Sequence, residues 1–178
     1  MKIEILVAAH KEFPMPKKEG YLPVLVGAVK NYKPGISYQR DDDGENISSK
    51  NPNYNELTAV YWAWKNLKDV DAIGLVHYRR LLFEKRPYSL DNVISIEKVN
   101  QLLQKYDVIL PKKRNYYIET NYSHYIHAHH KEPLDEARKV IAEVYPNYLP
   151  AFDKVMKKRG AHMFNMFIMK RNAFESVS

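Results

Sequence analysis

The chain has 178 residues, 45% of them hydrophobic, and a formal net charge of +7 from 28 Lys and Arg against 21 Asp and Glu. That length suits one ordinary domain with a real core, and that hydrophobic share excludes wholesale disorder. No apolar run approaches the roughly 18–20 residues of a membrane-spanning helix. With no cysteine there are neither disulfides nor thiolate metal sites, which suits a reducing cytoplasm.

A basic balance fits nucleic acid, an anionic membrane surface or a phosphorylated small molecule. Fourteen tyrosines among Arg, His and Asn suit sugars and nucleobases, which offer apolar faces and polar edges; they suit a half-wet surface equally.

In chain order, MKIEILVAAHKEF carries Glu4 inside a short apolar run, so it reads as a first strand over residues 2–9 rather than a signal peptide, with His10 at its carboxyl end. Pro14, Pro16 and Pro23, with a Lys-Lys-Glu-Gly turn, mark irregular chain around a short strand at residues 23–27. Residues 31–55, rich in Asn, Asp, Gly, Ser and Pro, read as an ordered loop because Tyr32, Ile36, Tyr38, Ile47 and Tyr54 are spaced through it. Long ordered loops tend to be functional.

Asn53 or Asn55 is placed to cap a helix over residues 56–67, whose Leu57, Val60, Tyr61, Trp64 and Leu67 share one face. Trp62 and Trp64, two apart, diverge. The strand at residues 71–76 follows and breaks into His77, Tyr78, Arg79 and Arg80, of which three are costly to bury without partners. Ser95 reads as the N-cap of a helix reaching Tyr106, and a strand over residues 107–110 stops at Pro111.

A helical zone from about residue 121 to 158 is interrupted at Pro133, Pro146 and Pro150, and residues 162–169 alternate as a last strand. The sequence stops as a new helix begins, so an unfinished, C-terminally truncated architecture is expected. Strands alternating with helices predict an α/β fold in a single domain, 1–178. Ligands of open α/β sheets bind outside the carboxyl ends of the strands. His10, the His77–Arg80 segment and the basic run Lys112, Lys113, Arg114 each follow a predicted strand end, so parallel neighbouring strands would bring all three to one crevice.

Adjacent Arg79 and Arg80 suit bidentate contacts to a diphosphate, as well as plain solvation at a strand end. His77 adds an imidazole, a side chain of the type that can titrate near neutrality. The cluster His124, His127, His129 and His130 invites a zinc reading, but His129 and His130 would diverge on a helix and the nearby acids match no metal motif; an active-site rim or core role is preferred. In RDDDGEN (40–46) the acids lack the alternation of a calcium loop, so a turn is expected, with Asn46 and Ser48 reaching inward. No Gly-rich phosphate loop, serine elbow or nucleic-acid recognition module occurs.

The segments ILVAAHKEFPMP (5–16), DDDGENISSKNPNYNELTAVYWAWKN (41–66), IGLVHYRRLLF (73–83), ILPKKRNYYIET (109–120), HYIHAHH (124–130) and AHMFNMFIMKR (161–171) together resemble the bacterial DUF4422 family, glycosyltransferase-like proteins associated with capsular and exopolysaccharide biosynthesis. The resemblance implies a GT-A-like, Rossmann-related sheet flanked by helices. It implies transfer of a hexosyl unit from a nucleotide-diphosphate sugar, UDP-linked, to a polysaccharide or lipid-linked saccharide acceptor. Many GT-A enzymes place a metal-holding Asp-x-Asp where this chain has His77-Tyr78-Arg79-Arg80, so cationic side chains are expected to replace Mn²⁺ or Mg²⁺, and no metal ligand or cofactor is assigned.

On the same footing, Ala9, His10, Tyr38, Asn46, His77, Tyr78, Arg79, Arg80, Lys112 and Asn165 are the expected donor-binding residues, and Glu56, His77 and His162 the expected catalytic ones; Asn51 joins Asn46 and Glu56 as a reader of sugar hydroxyls. The implied place of work is the cytoplasm, with room for peripheral contact at the inner membrane face and none for nucleic acid. A non-catalytic nucleotide-sugar or carbohydrate-binding module is the alternative.

Overall fold

The computed structural model describes residues 1–176. Along the chain run β1 (Ile3–Ala9), β2 (Tyr21–Leu25), α1 (Ala28–Asn31), β3 (Gln39–Arg40), α2 (Asn51–Tyr54), α3 (Leu57–Asn66), β4 (Ala72–His77), α4 (Ile96–Leu103), β5 (Val108–Ile109) and β6 (Arg114–Asn115). Then come α5 (Asn121–Ala128), α6 (Glu132–Val144), α7 (Leu149–Lys157), β7 (Gly160–Ala161), β8 (Phe167–Lys170) and α8 (Arg171–Glu175). The chain divides into two compact units. One comprises Met1–Pro111 with the chain from Asn165 onward, the other Lys112–Phe164.

The first unit is built on a six-stranded sheet in the order β3-β2-β1-β4-β8-β5. β1 pairs in parallel with β2 and β4, β2 with β3, and β8 lies antiparallel to both β4 and β5. Every strand but β8 therefore runs the same way, and the carboxyl ends at Ala9, Leu25, Arg40, His77 and Ile109 share one edge. The expected α/β architecture holds.

Side chains alternate across a strand, and here both faces are covered. Ile5 and Val7 pack with Val99 and Leu103 of α4 on one side, while Leu6 and Ala8 pack with Ala59, Trp62 and Ala63 of α3 and with Phe174 on the other. Strands buried on both faces are continuously apolar, which is why β1 and β4 are legible as short unbroken runs. Of the two tryptophans, Trp62 is buried and its indole N–H donates to Asp43 O at 2.8 Å, while Trp64 is only partly buried under the Lys65 ammonium.

Three expectations are corrected. The second strand covers residues 21–25 rather than 23–27. Val26 N–H bonds Ala9 and Leu25 O accepts from Asp41 N–H, so odd residues of β2 face β3; since β3 pairs only with Val24 and Leu25, Pro23 sits where no ladder bond is lost. Neither Asn53 nor Asn55 caps α3: Glu56 precedes it without a side-chain cap, and Asn55 takes φ 47 instead. The last strand begins only at Phe167, because Phe164 at φ 65 breaks the extended run. Ser95 does cap α4, accepting Lys98 N–H at 3.2 Å.

Candidate functional site

The break in apolar character after Val76 is a reverse turn. His77 N–H donates to Arg80 O and Arg80 N–H to His77 O, both at 2.9 Å, and Tyr78 N–H ties the turn to Ala8 O of β1. Arg79 and Arg80 are exposed and Tyr78 is partly buried, so only His77 bears the cost of burial, at 8% exposure. It has two partners. Its Nδ1 lies 3.1 Å from Glu56 Oε1 and its Nε2 2.7 Å from Asn165 Oδ1.

A neutral imidazole has one N–H, so both oxygens are satisfied together only by a doubly protonated ring. Turning the Asn165 amide about its axis presents its NH₂ instead and leaves a neutral ring. Either way the imidazole plane is fixed from both ends.

The sheet explains how residues 88 apart in sequence meet. Leu75 stands opposite Phe167 and Gly74 opposite Ile168 in the antiparallel β4–β8 ladder. Continuing that register by two residues sets His77 against Asn165. Glu56 arrives from the other direction, as the residue before α3.

What holds Glu56 in place is an acid that its sequence context does not single out. Asp41, fully buried, accepts Gly27 N–H at 2.7 Å, Ala28 N–H at 2.9 Å, the Ser48 hydroxyl at 2.5 Å and the Thr58 hydroxyl at 2.6 Å. Four donors around one carboxylate compensate its desolvation. They also join the end of β2, the 41–48 loop and the first turn of α3. Gly27 is at φ 60, and a Cβ there would stand 2.6 Å from Asn51 Oδ1, so a side chain would be strained by the backbone and would push the Asn51 amide aside.

Asn51 Nδ2 in turn donates to Asn55 O at 2.8 Å, holding the positive-φ residue that aims Glu56. No local signal marks Asp41: it is the first of three consecutive acids in a stretch that reads as loop, and the strand before it, Gln39–Arg40, is only two residues long.

Around the turn gathers an aromatic and cationic group. His10 meets Tyr78 edge-on at 5.4 Å between ring centroids, and Phe13 meets Tyr78 at 4.5 Å. The Arg79 guanidinium lies 5.0 Å from the Tyr78 centroid and 5.8 Å from that of Phe13. Tyr38 acts through Phe13: its hydroxyl donates to Phe13 O at 2.6 Å and accepts Phe13 N–H at 2.9 Å. Phe13 is not among the residues expected from sequence, although it follows His10 by three residues in the same post-strand loop.

The remaining expected residues divide. Ala9 is buried and its carbonyl accepts Val26 N–H. Asn46 is exposed and staples its own turn, donating to Asp42 O and Gly44 O and accepting Ser48 N–H, so of the expected pair only Ser48 reaches inward. Lys112 and His162 belong to the second unit, the one exposed before β6 and the other exposed after β7. Beside the β3 end, a shallow hollow of about 520 Å³ is lined by Tyr38, Gln39, Arg40, Asp42 and Asp43. There Arg40 makes a two-pronged pair with Asp42 at 2.8 and 2.6 Å, which holds the Asp42 carboxyl below its ordinary range.

In the second unit the four histidines do not converge. His124 and His127 each turn Nδ1 to Glu119, at 2.8 and 2.5 Å. Among the described residues no three His, Cys, Asp or Glu side chains gather to hold a metal ion, and no helix is long and apolar enough to cross a membrane.

The fold recurs in a solved structure. No curated protein matches the chain. The solved apo structure of the bifunctional glycosyltransferase WbbM superposes with a TM-score of 0.85 and 29% identity, covering 99% of this chain and 35% of that one. The chain therefore spans about a third of that neighbour's length. The family model described as "Domain of unknown function (DUF4422)" matches residues 4–178, and the chain belongs to that family.

Proposed function

We propose that the chain is a glycosyltransferase domain moving a hexosyl unit from a nucleotide-diphosphate sugar, UDP-linked, to a growing capsular, exopolysaccharide or O-antigen acceptor. One observation carries the reading: a buried imidazole, His77, clamped between Glu56 and Asn165 at the sheet edge where the carboxyl ends of β1 and β4 meet the start of β8. That edge is where open α/β sheets take their ligands. The similarity to a bifunctional glycosyltransferase supports the reaction class.

In such a transfer an acceptor hydroxyl attacks the anomeric carbon, the bond to the diphosphate breaks, and negative charge gathers on the leaving phosphate. Preorganised cations lower the barrier by meeting that charge as it develops. Arg79, braced on Tyr78 and Phe13, and Arg80, at the closing position of the turn, carry fork-shaped donors suited to phosphate and take the place a divalent metal has in related chemistry. His10, Ala9 and Tyr38 border the nucleoside. Glu56 and His77 are the acid–base candidates for the acceptor proton, and Asn165 both aligns His77 and faces the sugar.

Calorimetric titration of UDP with and without EDTA, followed by a panel of nucleotide sugars, tests this. The expected result is EDTA-insensitive UDP binding, weakened about tenfold or more by Arg79→Ala or Arg80→Ala, and release of UDP in the presence of the right donor. Strict Mn²⁺ dependence, or unchanged affinity in both variants, would overturn the cationic role. Thermal stabilisation by nucleotide sugars with no UDP release from any of them would replace transfer by a binding module.

A further inference from the structure

The second unit contains a hollow of about 290 Å³ that none of the roles above uses, lined among others by Arg114, Tyr116, Asn121, Tyr125, His129 and Phe164. Ligand pockets run from roughly 300 to 1,000 Å³, so this one has room for a single ring. Its walls are aromatic and already ordered. Tyr116 stacks on His124 with centroids 3.7 Å apart, and Tyr125 lies against His129 at 5.0 Å. Phe164 contributes a ring that is 47% exposed on a backbone at φ 65, a conformation that costs a non-glycine residue energy.

The polar groups are equally specific. Asn121, 8% exposed, sits at the first position of α5, which the Thr120–Ser123 capping box fixes. Its Nδ2 donates to Val155 O at 2.8 Å, but its Oδ1 is the one buried side-chain oxygen or nitrogen among the described residues without a hydrogen-bond partner. Leaving such an acceptor unmade costs about 1–3 kcal/mol, which a donor brought in by a ligand would recover. His124 turns Nδ1 to Glu119 at 2.8 Å, which leaves Nε2 as the remaining polar atom of its ring. Arg114 is the single Lys or Arg of the lining, whereas a diphosphate is normally met by several.

Apolar ring faces beside an unused acceptor match the two surfaces of a pyranose: its C–H face and its hydroxyl edge. We propose that this hollow is a monosaccharide subsite, taking one neutral hexopyranose ring of the saccharide acceptor against Tyr125 and His129, with Asn121 offering its unused acceptor to a sugar hydroxyl. That the sugar belongs to the acceptor rests on the transfer reading; that a sugar binds here does not.

The test is a ¹H–¹³C NMR titration of the full chain with the methyl β-glycosides of glucose and galactose and the methyl α-glycoside of mannose. Saturable shifts are expected at the Met163 methyl and the Tyr125 and His129 rings for at least one glycoside, with none from UDP. Tyr125→Ala should weaken that binding about tenfold and Tyr125→Phe should preserve it, since the ring face and not the hydroxyl carries the contact. Because Tyr125→Ala removes packing as well, His129→Ala, at the exposed helix end, serves as a second probe and should also weaken binding.

No response to any glycoside, shifts produced by UDP instead, or affinities unchanged in both alanine variants would overturn the subsite. If glycosides bind here while UDP binds nowhere, the transfer reading falls and the subsite stands. If UDP binds at the His77 edge while the hollow stays silent, the subsite falls and the transfer reading stands.

Discussion

The two units reach order by different means. In the first, strands β1 and β4 are buried along almost their whole length and a carboxylate without solvent contact is saturated by four donors. In the second, α6 and α7 bury no residue completely. A two-pronged Arg138–Asp153 pair at 2.8 Å joins them beside half-buried Leu134 and Phe152, while the Tyr122 hydroxyl on Asp135 at 2.9 Å ties α5 to α6 and the Thr120 capping box starts α5. Exposed ion pairs are worth little, so the second unit should open locally well before the sheet does, as low-stability regions that handle variable ligands commonly do.

The largest expected contrast is in packing. Leu75→Ala should cost about 2–5 kcal/mol in urea unfolding because it empties a filled, fully buried site. Val144→Ala on half-exposed α6 should stay within about 0.5 kcal/mol. Similar losses would erase the distinction between the units.

Next in size is Asp41→Asn, which swaps a charged acceptor for an amide facing at least two N–H donors. A loss of about 3 kcal/mol is expected, together with slower sugar transfer at little-changed UDP affinity, because Thr58 and Asn55 no longer hold Glu56 against His77. Full stability with an intact transfer rate would show that Glu56 is aimed by something else.

Thr120→Ala removes one capping box and should cost about 1 kcal/mol. The loss should appear as roughly fivefold faster hydrogen exchange in α5, with exchange in β1 and β4 unchanged. Uniform acceleration across the chain would mean that the units unfold as one.

The smallest effect concerns pH. Hydrogen bonds from His124, then His127, hold Glu119 below the ordinary carboxylate range. A depressed folded-state value means that the contribution is present above the ordinary range near 4.3 and is lost as pH falls through the lower folded value. A ¹³C carboxyl titration should find Glu119 titrating below the exposed glutamates, and moving up toward them in His124→Ala.

Legibility followed the range of the interactions. Ser95 and its helix, the strand before His77 and the prolines breaking the 121–158 zone depend on a few neighbouring residues, and sequence periodicity exposes them. His77 at a strand end and Asn165 inside the strand expected over residues 162–169 are both visible as polar residues, but their pairing requires the reversed β8 register. Asp41 and Asn46 look alike in RDDDGEN; only the approach of the Gly27–Ala28 amides and the Thr58 hydroxyl makes one a buried acceptor and leaves the other to its own turn. Asn55 looks like a cap, and becomes a left-handed joint because its carbonyl is claimed by the Asn51 amide.

By itself the sequence determined the class of the fold, the strand that ends in His77-Tyr78-Arg79-Arg80 and, through its motifs, the family. Apolar runs and caps act over one or two turns of chain, and a linear reading sees them. Only the tertiary structure decided that the imidazole lies between Glu56 and Asn165, that Asp41 braces the helix carrying Glu56, and that residues 112–164 form a unit with its own hollow. Those facts belong to strand order and register, which bring together groups whose separation along the chain carries no local signal.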